Sequence, residues 1–193
     1  MKHILPTVMV AMTLGLANVT GVVGISAAVA AETAVPAEKN PPGDIPDSQV
    51  FIDYASPQGF TMKVPEGWAR SDKADGASFV DKLDGVVMSV VQATSAPTVA
   101  SVKADVVPKL EASGRAIKVT AVKQVKLPAG LAIRIVYTSN SEPNAVTNKQ
   151  VRLENERYLY FKDGKLVTLD LYAPKGADNV DQWQLMSTSL RWK

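Results

Sequence analysis

The chain has 193 residues, 21 basic and 19 acidic side chains, a formal net charge of +2 and no cysteine. That near-balance argues against nucleic acid as the main partner, which asks for a clustered basic surface, and the missing thiols leave the fold to be held by its core alone. The single histidine, His3, falls in an N-terminal segment that reads as removable, so the remainder cannot build a Ser-His-Asp or Cys-His site, a His-ligated zinc or haem, or an imidazole proton shuttle.

Residues 1–30 carry the pattern of an export signal. Lys2 is a short positive start, "ILPTVMVAMTLGL" an apolar stretch, and Ala28 and Ala30 stand at −3 and −1 of a cut before Ala31. The alternative is a retained anchor, since Ile4 to Ala31 is long enough to span a bilayer; the Ala-Val-Ala site favours cleavage. No cysteine follows that could carry a lipid. Export would place the protein in the periplasm, at the cell surface or outside, peripheral to a membrane at most. Cleavage removes Lys2 and leaves 20 basic against 19 acidic side chains, a net charge of +1.

Residues 31–49 include four prolines and no apolar periodicity, which predicts a disordered linker. One domain is expected over residues 50–193. "VFIDYA" and "GFTMKV" are its first strands. "ASFVDK" and "VVMSVVQ" follow, with a hairpin turn expected at Leu83-Asp84-Gly85 because Asp-Gly tolerates positive φ. Val99, Val102, Val106 and Leu110 recur at helical spacing, and Pro108 should kink or divide that helix.

"AIKVTAVKQVKL" alternates, with Ile117, Val119, Ala121, Val125 and Leu127 on one side, and Pro128-Ala129-Gly130 turns it into "LAIRIVYT". The longest internal loop signal is "SNSEPNAVTN". "KQVRLENERYLYF" and "KLVTLDLYA" flank Asp163-Gly164, the clearest hairpin in the chain. A closing helix is expected from Pro174, with Val180, Trp183, Ser187 and Leu190 on one face and Met186 beside it. Runs of antiparallel strands with helices set apart argue α+β rather than βαβ repeats.

Trp68 stands directly behind the turn Pro65-Glu66-Gly67, where it would drop over one end of a sheet and seal it. From Tyr54 to Trp68 the chain reads Y-x-S-P-Q-G-F-T-M-K-V-P-E-G-W, which resembles the opening of the PsbP-like domain. The later order of strand pair, helix, meander and closing helix with Ser189-Leu190-Arg191-Trp192 is similar as well. The resemblance implies an αβα sandwich with a central antiparallel β-sheet. That fold is shared by photosystem II PsbP, the Mog-type Ran-binding factor and exported LpqN-type bacterial proteins, which act by binding other molecules rather than as enzymes.

Three groups are candidate sites. "DKADG" and "DKLDG" bring Asp72, Asp75, Asp81 and Asp84, oxygen ligands of the kind Ca²⁺ or Mn²⁺ takes, which would converge if the strand between them were short enough. Glu154 and Glu156 share a strand face with Arg152, as an ionic ladder or as an acid/base pair. Tyr158 and Tyr160 share that face; with Arg152 they would form a partner-binding strip, or else pack beneath the closing helix. Lys118, Lys123 and Lys126 fit a solvated surface. The expected function is that of an exported, non-catalytic binder of an envelope protein or small ligand, with no resident cofactor. The alternatives are a divalent-ion-responsive subunit of a membrane complex and a carboxylate-based enzyme, which would need Glu154, Glu156 or Asp170 buried together in a cleft.

Overall fold

From Phe51 onward the alternating pattern becomes two antiparallel sheets in the computed structural model, which describes residues 32–193. The export signal and its cut before Ala31 lie outside the described residues. Strands β1 (Phe51–Ser56), β2 (Phe60–Pro65) and the late β10 (Arg191–Trp192) make a small sheet in the order β1-β2-β10. The large sheet contains β3 (Ala69–Lys73), β4 (Gly76–Asp81), β5 (Asp84–Gln92), β6 (Lys118–Leu127), β7 (Gly130–Asn140), β8 (Arg152–Lys162) and β9 (Lys165–Pro174). Its order is β3-β4-β5-β9-β8-β7-β6, so the chain leaves β5, crosses to the far edge, and meanders back until β9 pairs with β5.

The crossing is helical: α1 (Val99–Ser101), a π-helical stretch (Val102–Val106) and α2 (Val107–Ala112). Pro108 divides it as its missing N–H requires, and the π turn precedes it. Thr98 and Ser101 form a capping box at the start. This helical layer packs Val102 and Leu110 on Ile133, Ile135, Tyr137 and Leu159. The opposite face of the same strands presents Tyr158, Tyr160, Val167, Leu169 and Leu171, which pack with Phe60, Met62 and Val64 of β2 and with Trp183, Met186 and Leu190. Trp183 and Met186 belong to α3 (Val180–Ser189). The expected αβα sandwich around a central antiparallel sheet is what forms.

Several local expectations are corrected. The turn between β4 and β5 is Lys82-Leu83, with Asp81 paired to Asp84, so Gly85 is a strand residue. In β6 a bulge between Val119 and Ala121 breaks the alternation. Ile117 and Val119 therefore pack on the helix side, and Val125 and Leu127 on the other. Helix α3 begins at Val180, not Pro174, because Pro174 closes β9 and Gly176 follows with φ +100°. Val180 is 71% exposed and does not share the buried face of Trp183, Ser187 and Leu190. Strands β3 and β10 carry no sequence signal of alternation. Trp68 is half-buried against the first core beyond one end of β2, while Trp192 pairs with Phe60 at the other end, packs edge-on at 6.3 Å from its ring and donates Nε1–H to the Ala129 carbonyl.

The proline-rich segment is a further correction. Residues 32–49 lie along the sheet end instead of hanging free. Ile45 is 4% exposed within the first core. Its N–H donates to Asn179 Oδ1 at 2.6 Å, and Gln182 donates to its carbonyl. Asn140 donates to Glu32 and Thr33 and accepts from the Val35 N–H. Prolines spare the segment N–H groups that would need partners, and side chains of the domain supply the rest.

Candidate functional site

The helical layer covers only part of its sheet face. Beyond it, the strand ends of β5, β9, β8 and β7 leave an open cleft of about 460 Å³. The register places Gly85, Tyr172, Asn155 and Tyr137 in one row across the sheet, and Val87, Asp170, Arg157 and Ile135 in the next. All but Ile135 line the cleft or, in the case of Gly85, support it. Tyr172 owes its position to Gly85: a Cβ there would come within 2.1 Å of the tyrosine Cζ, so the ring lies flat on bare backbone.

Arg157 and Asp170 meet across β8 and β9 in a two-pronged pair, Nε to Oδ1 at 2.6 Å and Nη2 to Oδ2 at 2.9 Å. Burial works against the guanidinium charge, but the hydrogen-bonded carboxylate outweighs it and holds the Arg157 pKa above its usual value. The guanidinium also stands 5.9 Å from the Tyr137 ring centre. Burial, with Asp170 nearby, pushes the Tyr137 phenol well above its ordinary range, and burial raises Tyr172 too. Both phenols are therefore neutral hydrogen-bonding groups. Asn155 is held by Ser139 at 3.1 Å. At the rim stand Lys82, in the β4–β5 turn with φ 50°, and the Arg115–Glu142 ion pair at 2.6 Å.

The four aspartates do not converge. "DKADG" forms the β3–β4 turn and "DKLDG" the β4–β5 turn, at opposite ends of a six-residue strand, about 17 Å apart at the rise of a strand. Asp72 instead pairs with Arg70 at 2.9 Å. Among the described residues no three ligating side chains stand close enough to hold a metal ion.

The partner strip is also overturned, since Arg152, Tyr158 and Tyr160 are 8%, 6% and 1% exposed. Arg152 donates to the Ala116 carbonyl, Asn140 and Thr138, and Tyr160 donates to the Ser187 carbonyl of α3. Glu156 pairs with Arg134, not Arg152, and accepts the Tyr158 hydroxyl. Asp170 points to the opposite sheet face from Glu154 and Glu156, so these carboxylates are not gathered in one cleft. Lys118, Lys123 and Lys126 fall on the edge strand β6, where lysines discourage edge-to-edge pairing.

Tyr137, Tyr172, Arg157 and the rim cations were not singled out from the sequence, yet a signal existed. The two-residue turn Asp163-Gly164 pairs Lys162 with Lys165, and five residues further on each side Arg157 faces Asp170.

No family model matches the chain, and no curated protein matches its sequence. Solved structures match in fold. Cyanobacterial PsbP (CyanoP) from Synechocystis sp. PCC 6803 superposes with a TM-score of 0.55 at 14% identity, over 78% of this chain and 98% of that one. The Saccharomyces cerevisiae Ran-binding protein Mog1p does so with a TM-score of 0.51 at 10% identity, over 75% of this chain and 96% of that one. The chain therefore has the PsbP-like fold that Tyr54–Trp68 announced.

Proposed function

We propose that this protein is an exported, non-catalytic binding module of the cell envelope, and that the cleft on the helix side of its sheet is where it takes a small ligand or the protruding group of a partner. The observation that carries this is the construction of the cleft. Its volume falls within the range of small-molecule sites, about 300–1,000 Å³, and apolar and aromatic walls surround a few polar groups already held in place. The Arg157–Asp170 pair neutralises the half-buried carboxylate there, and both phenols stay protonated, so the cleft offers recognition rather than a poised base. That one structural neighbour bears the name of a Ran-binding protein is consistent with a binding role for this fold. Export rests on the signal pattern of residues 1–30 and would be tested by N-terminal sequencing of the envelope form, which should begin at Ala31.

A fragment screen by NMR tests the cleft. Hits should shift the amides of Val87, Tyr137 and Tyr172, and a Val87→Trp variant, which fills the space from a half-buried position, should lose them while keeping its melting temperature. Hits that cluster elsewhere and survive in the variant would remove the cleft as the binding site.

A further inference from the structure

We propose that the ligand of the helix-side cleft is a small organic carboxylate with an aromatic or branched apolar body. This deepens the reading of the cleft as a binding site and depends on it. Lys82, Arg115 and Arg157 line the cleft against only Glu142 and Asp170, an excess of one positive charge. Among the described residues Lys82 has no ion-pair partner.

Both oxygens of Asp170 are taken by Arg157, so the deepest carboxylate has little left to accept from a ligand donor. Arg157 commits only Nε and Nη2 to that pair, which leaves Nη1–H, and Arg115 meets Glu142 through Nη1. The Tyr137 hydroxyl is likewise spent on Asp170 and the Asn155 amide nitrogen on Ser139, so the donors that remain are the cationic ones on Arg157, Arg115 and Lys82, and the complementary ligand is an anionic acceptor. A carboxylate fits the forked donors of Arg side chains and the point charge of Lys82.

Leu83, Val87 and Leu153 face the space together with the Tyr137 and Tyr172 rings. An inorganic anion would leave that apolar surface wet, whereas a ring or branched chain between the two tyrosines covers it. Glu142 at the rim and Asp170 at the floor also disfavour a doubly charged anion over a singly charged one.

Titration of the protein with four probes tests this: phenylacetate, phenylacetamide, phenethylammonium and inorganic phosphate, followed by NMR at Val87, Tyr137 and Tyr172. Phenylacetate should bind about tenfold more tightly than the amide, the worth of one charge-assisted hydrogen bond over a neutral one. A Lys82→Gln variant should lose most of that preference for the carboxylate over the amide, and a variant that keeps it in full would take Lys82 out of the site. The preference of wild type for the amine, equal binding of amide and carboxylate, or binding of phosphate alone would overturn the carboxylate assignment while leaving the cleft as a site. If no probe moves those three residues, the cleft reading and the carboxylate fall together.

Discussion

Asp84 and Gly85 show how one dipeptide can be asked for two things unrelated to a turn. Gly85 is bare so that Tyr172 can lie on it. Asp84 is 5% exposed, and its Oδ1 has no partner. Burial, then the neighbouring carboxylates Asp81 of β4 and Asp44 of the N-terminal segment, push its pKa from 3.8 up to about 7; Lys82 opposes them weakly. The folded protein therefore favours the neutral acid more than the unfolded chain does. Stability is full below pH about 4, declines as pH rises, and reaches its floor above about 7.

Asp84→Asn removes that ionisation. At pH 8 the variant should be more stable than wild type by on the order of 2 kcal/mol, a figure discounted for residual solvent screening, with no gain at pH 4. Urea melts at the two pH values check it; equal effects at both would show that the charge is irrelevant. Nothing local in Asp84-Gly85 distinguishes these demands from those of a hairpin turn, because they arise from Tyr172 and Asp44, which are remote in sequence.

At the scale of elements, what was legible is what depends on local pattern. Central strands, the Asp163-Gly164 hairpin and the Pro108 break follow from alternation, turn chemistry and the missing N–H. What was not legible depends on partners distant in sequence. Strand β10 is two residues that add to β2, and β3 is exposed throughout, so neither has a core face to betray it. The β6 bulge is invisible to a strict count of two, yet it lets one strand feed both cores.

By composition alone the N-terminal segment is a linker. Composition counts prolines and cannot see that Asn179, a helix-entry residue, spends both ends of its amide on Ile45 and Gly43 rather than on capping α3. Truncating Ile45 to Ala should then cost about 2–4 kcal/mol, as for any buried aliphatic side chain. A free linker would tolerate the change within about 0.5 kcal/mol. Denaturant midpoints separate the two.

At the scale of the molecule, the two cores are two sides of the same strands. Tyr158 and Tyr160 point one way from β8 and Leu159 the other, so neither core can dissolve without unpairing the sheet that bears the second. The tryptophans make this measurable, since Trp68, Trp183 and Trp192 all pack on the core beneath β2 and α3, and none on the core beneath α1 and α2. Indole fluorescence therefore reports one side only, and far-UV circular dichroism reports the whole sheet. The two denaturation curves should coincide. Leu110→Ala, made in the helical layer that no indole touches, should lower the fluorescence midpoint by the same amount as the dichroism midpoint, for a loss of about 2–3 kcal/mol. A fluorescence curve that ignores this substitution would mean that the helical layer unfolds by itself, and the cleft at its border would then be a mobile surface rather than a preformed site.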